Sequence, residues 1–198
     1  MIHRFQTIAV FFVMIMMITG CSSRAKPASI RGYAEKGIRI IVVMPVKAPT
    51  VDPKVARLMR DRILETLYFK GYPRIPLGLV DGTLAKVYDK VPDSGVEIPP
   101  QAVRTLLNAD AVLYVTVHEL RTSTAWLYAA TIMSATFELR DGKTGETIWK
   151  AQPQNVERNF DVTTQRLERT VYQVLEPALQ AMVEQALQGL PEGPDAVK

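Results

Sequence analysis

Cysteine is almost missing from this 198-residue chain, which holds one, Cys21, beside two histidines, His3 and His118. A single cysteine makes no intrachain disulfide, and a structural zinc site takes about four Cys or His ligands. No metal and no cofactor are therefore expected. Long apolar runs are missing as well: the stretch from Ile8 to Ile18 falls short of the roughly 20 apolar residues that a membrane-spanning helix needs. Charge of one sign is not in excess, since 24 basic groups face 20 acidic ones. A balance that even, without a basic cluster, gives no footprint for nucleic acid. Catalytic signatures are scarce, and no Gly-x-Ser-x-Gly elbow is present.

What the chain does have begins at its start, MIHRFQTIAVFFVMIMMITGCSS. Arg4 precedes the apolar run, and Thr19 and Gly20 follow it. A basic start, an apolar middle of about 7–15 residues and a small-residue exit describe a secretory signal. The exit Ile18-Thr19-Gly20-Cys21 resembles the bacterial lipobox. That resemblance implies cleavage after residue 20, a diacylglycerol on the Cys21 sulfur, and a further acyl chain, such as palmitate, on the new amino group. An ionisable thiol is the fitting nucleophile for the thioether bond. Two or more acyl chains anchor a protein stably without a spanning helix. Ser22 in place of aspartate implies, by the same resemblance, the outer membrane with the domain facing the periplasm.

The remaining chain divides simply. Residues 1–20 are read as the signal peptide and 21–36, rich in Ser, Ala, Arg and Lys, as a flexible tether. Residues 37–190 are read as one domain, and 191–198 as a mobile tail. The continuous apolar run Ile38–Met44 predicts a strand buried on both faces. Asp52 and Pro53 predict a helix start, Val55, Met59, Ile63 and Leu67 its buried stripe, and Gly71 its end. A short strand is expected at Tyr72–Ile75 and a helix from Asp81 to about Tyr88. The prolines of VPDSGVEIPP open another helix that reaches Asn108. ADAVLYVTVHEL, WLYAATIMSATFELR and TIWKA predict three more strands, the last two joined by the turn DGKTGE. A final helix over 164–188 carries Pro177. Helical crossovers favour parallel pairing early, and the short turn demands an antiparallel hairpin late. The expected fold is α/β (α+β), a mixed sheet of about five strands packed with helices.

Candidate chemistry is thin. Gly142-Lys143-Thr144 matches the end of a phosphate loop, yet Phe137 stands where the motif needs glycine, and strands flank it instead of a strand and a helix. His118 has no motif that supplies a partner for general-base work. It reads as a solvent-facing or hydrogen-bonded histidine. Asp81, Asp93 and Asp110 have no spacing that identifies an acid/base pair. Trp126, Tyr128 and Trp149 read as strand packing residues, or as a protein contact if they stand exposed beside a sheet edge. No catalytic residue is assigned, and the protein is expected not to be an enzyme.

With the elements placed, IRIIVVMPV, GYPRIPLGLVDGTL, NADAVLYVTV and ELRDGKTGETIW resemble the family of bacterial lipoproteins known from a neisserial genome-derived antigen, a domain of unknown function. The resemblance spans roughly residues 37–190. It implies a fold like that of the TolB amino-terminal domain, and an organisation similar to CsgG-type secretion lipoproteins and LpoB-type activators of wall synthesis, which bind proteins and do not catalyse reactions. The residue it assigns is Cys21, for lipidation. The expected partners are the membrane, through the lipid, and one or more envelope proteins. The expected role is a non-enzymatic assembly or interaction module in an envelope or secretion complex. The alternative is an envelope lipoprotein that binds a small molecule or glycan in a pocket beneath VPDSGVEIPP.

Overall fold

The computed structural model describes residues 33, 36–49, 51–88, 97–125, 128–160 and 164–196, with backbone alone for 122–125, 128–130, 155–160 and 164–174. Strand β1 (Ile41–Val43) leads into helices α1 (Pro53–Phe69), α2 (Leu77–Val87) and α3 (Pro100–Leu107). Strands β2 (Ala111–Ala125), β3 (Tyr128–Asp141), β4 (Thr147–Ala151) and β5 (Gln154–Phe160) follow, and helix α4 (Thr164–Leu187) closes the order. The three helices between β1 and β2 return the chain to the same end of the sheet. The two strands accordingly pair in parallel, Ile41 against Ala111 and Val43 against Leu113. β2 and β3 form a long antiparallel hairpin from Ala111↔Asp141 to Ala125↔Tyr128. β4 pairs with the C-terminal part of β3, and β5 with its N-terminal part. The result is the expected mixed sheet of five strands packed with helices.

Two layers of helix cover it. On one face, Met59, Ile63, Leu64 and Leu67 of α1 and Leu179, Met182, Val183 and Leu187 of α4 bury Ile41, Val43, Leu113, Val115, Phe137 and Leu139. This is the larger core, and Trp149 of β4 lies in it, buried. On the other face, Val80 and Leu84 of α2 and Val103 of α3 cover Val42, Met44 and Val112. β1 is therefore buried on both faces, as its unbroken apolar run requires. It is also an edge strand. Arg60 guards that edge: its Nε and Nη2 donate to the Val43 carbonyl at 3.2 and 2.9 Å, and Nη1 donates to Asp81 on α2 at 2.7 Å. A guanidinium fork serves both acceptors at once.

Local signals explain most boundaries. Asp52 accepts from the Lys54 amide at 2.8 Å, with Pro53 in the first turn. At the other end of α1 the Tyr72 amide donates to Leu67 O at 3.0 Å and the Gly71 amide to Tyr68 O at 2.9 Å. That pair of bonds is a Schellman motif, and Gly71 takes the left-handed φ of +85° it needs. Three expectations need correction. Tyr72–Ile75 is not a strand: Tyr72 spends its amide on the helix cap, Pro73 has none, and Pro76 caps α2. α2 starts at Leu77, earlier than expected, because Val80 and Leu84 find a buried surface despite Gly78 and Gly82. β5 is a strand that no sequence pattern announces, since QNVERNF lacks alternating apolar residues.

Candidate functional site

Most elements of interest meet at one end of the sheet. The N-terminal ends of β1 and β2 and the C-terminal end of β3 lie level there, through Ile41, Ala111 and Asp141. Asp110 ties the first two together, its Oδ2 accepting from the Arg39 and Ile40 amides at 3.0 Å each. This is a strand-start role, and its other oxygen faces the Arg104 guanidinium at 3.7 Å. Lys36, from the stretch read as tether, donates to buried Asp141 at 2.8 Å. The Gly142-Lys143-Thr144 segment is a turn between β3 and β4, and the amides of Lys143 and Thr144 donate to Asp141 Oδ1. A Cβ on Gly142 would stand 2.7 Å from the Ala109 carbonyl oxygen. The turn thus uses its amides and its space for the protein itself, with no cradle left for phosphate.

α1 runs back to this same end, and its C-terminus holds both ends of the described domain. The Tyr72 hydroxyl donates to the Pro191 carbonyl at 3.0 Å, and Tyr33 hydrogen-bonds to Tyr72 at 2.6 Å. Burial raises the pKa of both phenols, so both stay neutral. The tail adds its own bonds: the Gly193 amide donates to Lys70 O at 2.6 Å and the Asp195 amide to Gly71 O at 3.1 Å. Tyr33 and Pro191–Ala196, placed by sequence in the tether and the tail, are thus joined to the domain. Just beside this latch, Tyr68 and Phe69 turn outward, 56% and 76% exposed. Their rings meet edge to face with centroids 5.9 Å apart.

A second polar cluster decorates the outer sheet face. The Arg140 guanidinium lies 4.9 Å from the Tyr114 ring centroid and pairs with Glu138 and Glu97. Arg140 is the main cause that lowers the Glu138 pKa, against the effect of burial, and Thr147 adds to it. Tyr114 donates to the Ile98 carbonyl at 2.5 Å, and Ile98 is itself buried. The described end of the VPDSGVEIPP segment therefore fills core space. A depression of about 440 Å³ lies elsewhere, between α1 and α4, bordered by Thr66, Lys70, Glu184 and Gln188.

The remaining candidates are dispersed. His118 occupies a β-bulge between Val117 and Glu119, and its Nε2 lies 2.7 Å from Thr136 Oγ1 on an exposed face. An imidazole beside a hydroxyl is a nucleophile–base pair, but a third group must orient the imidazole. Among the described residues His118 has no such bond. Asp81 is committed to Arg60, and Trp149 is buried as a packing residue. Cys21, Asp93 and Trp126 lie outside the described residues, and the side chain of Tyr128 is not described. Among the described residues no helix is long and apolar enough to cross a membrane. Sequence reasoning missed Tyr33, Tyr68 and Phe69. The signal for the last two was present, since positions 68 and 69 fall off the stripe 55-59-63-67.

The family model of GNA1162-like lipoproteins matches residues 32–190. The chain belongs to the GNA1162-like family. For this GNA1162-like chain the likeness extends to coordinates: a crystal structure of lipoprotein GNA1162 from Neisseria meningitidis aligns at 25% identity and a TM-score of 0.55, covering 70% of this chain and 96% of that one. A PelC dodecamer from Paraburkholderia phytofirmans aligns at 17% identity and a TM-score of 0.50, over 82% of this chain and 91% of that one. The LpoB C-terminal domain from Escherichia coli aligns more loosely, at 13% identity and 0.44, over 73% and 93%. Among curated proteins none matches the chain in sequence.

Proposed function

We propose that this GNA1162-like protein is an outer-membrane lipoprotein, anchored through lipidated Cys21 after removal of residues 1–20, facing the periplasm. Its domain serves, without catalysis, as an assembly or interaction module in an envelope or secretion complex. One observation carries the reading: the chain just after the proposed anchor is latched by Tyr33 to Tyr72, at one end of the sheet. The β2–β3 hairpin extends toward the other end. An anchored domain with one end tied and one end offered suits protein contact in a thin layer, where tethering raises effective concentration. The family's description as lipoproteins supports the anchor.

The test is Cys21→Ala in the full chain, expressed in a bacterium that processes lipoproteins. The wild type is expected in the outer-membrane fraction, with its amino-terminal peptide heavier by a diacylglycerol and an acyl chain. Cys21→Ala is expected to lose that mass, to keep residues 1–20, and to leave the outer-membrane fraction. A wild-type Cys21 with a free thiol, or unchanged fractionation of the variant, overturns the anchor.

A further inference from the structure

We infer that Tyr68 and Phe69 form the surface on which the domain rests against the lipid bilayer. The inference rests on the proposed anchor at Cys21 and adds to it the face that meets the membrane. Both aromatics sit on the last turn of α1, outside the buried Met59–Ile63–Leu67 stripe, and both are largely exposed. Aromatic rings concentrate at the level of lipid head groups, where an apolar body meets a wet boundary.

The position of the undescribed chain selects lipid as the occupant. Phe69 lies three residues before Tyr72, whose hydroxyl binds that of Tyr33. From Tyr33 back to Cys21 the chain spans at most roughly 40 Å stretched, and about 20 Å as a flexible coil. The acyl chains at Cys21 therefore hold this corner of the domain near the bilayer, whatever the far end does. The latch works at the same corner, so the aromatics cannot swing far from the anchor without breaking Tyr33 from Tyr72. The charges nearby are mixed. Lys70 directly follows Phe69 and Arg74 is exposed two residues past Tyr72, while Glu192 and Asp195 ride on the segment bonded to Lys70 and Gly71. With both signs present, ring insertion leads and anionic lipid is not required.

The experiment reconstitutes the full-length, processed protein into phosphatidylcholine vesicles with brominated acyl chains, with and without phosphatidylglycerol. Phe69→Trp is placed in a Trp126→Phe background, whose remaining Trp149 is buried and is subtracted as a constant. Arg121→Trp is the control, at an exposed position on β2. Flotation with the vesicles is read first. The expected result is flotation of both, loss of about half or more of the emission at position 69, as for a ring at head-group depth, and little loss at position 121, equally in both lipids. Flotation with equal, weak quenching at both positions overturns the docking surface and leaves the anchor standing. A blue shift at position 69 without bromine quenching means that a second copy or another protein covers the rings, and also overturns it. Absence of flotation overturns the anchor and this inference with it. A Tyr68→Ser/Phe69→Ser pair checks the reverse: it is expected to melt like the wild type and to float, but to leave a Trp probe at position 74 less quenched than in the wild-type background. Equal quenching there overturns the proposal.

Discussion

Asp141 gathers three donors on one buried carboxylate: Lys36 Nζ at 2.8 Å and the amides of Lys143 and Thr144 at 2.7 and 3.0 Å. Burial opposes its ionisation, but Lys36 and the two amides outweigh burial and hold its pKa below the ordinary 3.8. A carboxyl depressed in the folded state stabilises the fold above its unfolded pKa, and that contribution fades as pH falls through the folded value. Asp141→Asn leaves the Lys36 ammonium facing an amide. It should cost about 1–3 kcal/mol at neutral pH, as for a lost hydrogen bond to a charged group. Urea unfolding from pH 7 downward should show this deficit nearly constant until about 3.8, then shrinking. A deficit that grows on acidification would contradict the assignment. Lys36 and Asp141 are 105 residues apart, and that separation explains why the pair escaped sequence reading. Asp141 was legible only as a turn residue, because the pairing depends on β1 and β3 ending level, which no local pattern reports. The same holds for Tyr33, a lone aromatic in a polar stretch whose partner lies beyond a helix.

At the scale of elements, the end of α1 joins cap, latch and tail. Gly71 has a φ of +85°, and a Cβ there would stand 2.3 Å from the Ala196 amide nitrogen. Gly71→Ala therefore meets both left-handed strain, about 1–2 kcal/mol, and the tail's backbone. Its melting temperature should fall by roughly 2–8 °C for a domain this size. Gly82 lies inside α2 and is exposed, and a Cβ added to it would meet no atom within 4 Å. Gly82→Ala should gain about 0.5–1 kcal/mol, the ordinary helix-interior difference, and melt higher. Opposite signs from the same substitution, read by calorimetry, would place the constraint on the α1 cap. Elements with strong local chemistry were legible: Asp52-Pro53 and Gly71 bound α1, and alternation marked β2 and β3. α2 was half legible because Gly78 and Gly82 lower helix propensity, while Val80 and Leu84 decide the matter through tertiary burial. β5 was invisible because a strand that pairs with the outer part of a hairpin does not need an alternating apolar face.

For the whole molecule, the two ends of the sheet carry different burdens. The end with Tyr33, Asp141 and Phe69 collects the start of the domain, the C-termini of α1, α3 and α4, and the tail. β2 runs away from it over 15 residues, a span of about 50 Å at the usual rise of a strand. β1 pairs with only the first part of β2, through Leu113, with one further bridge at Thr116. On the opposite edge, β5 pairs with the outer part of β3. A lipid at Cys21 would keep the first end at the bilayer and hold the hairpin out in the periplasm. Arg121, exposed on the outer part of the hairpin, is then the place to look for a protein partner, and Arg74, near the latch, is the place to look for lipid. A photo-crosslinking residue at each position, activated in intact cells, should give discrete protein adducts from position 121. From position 74 it should give lipid adducts, resolved by mass spectrometry. Protein adducts from 74 with lipid adducts from 121 would overturn that orientation.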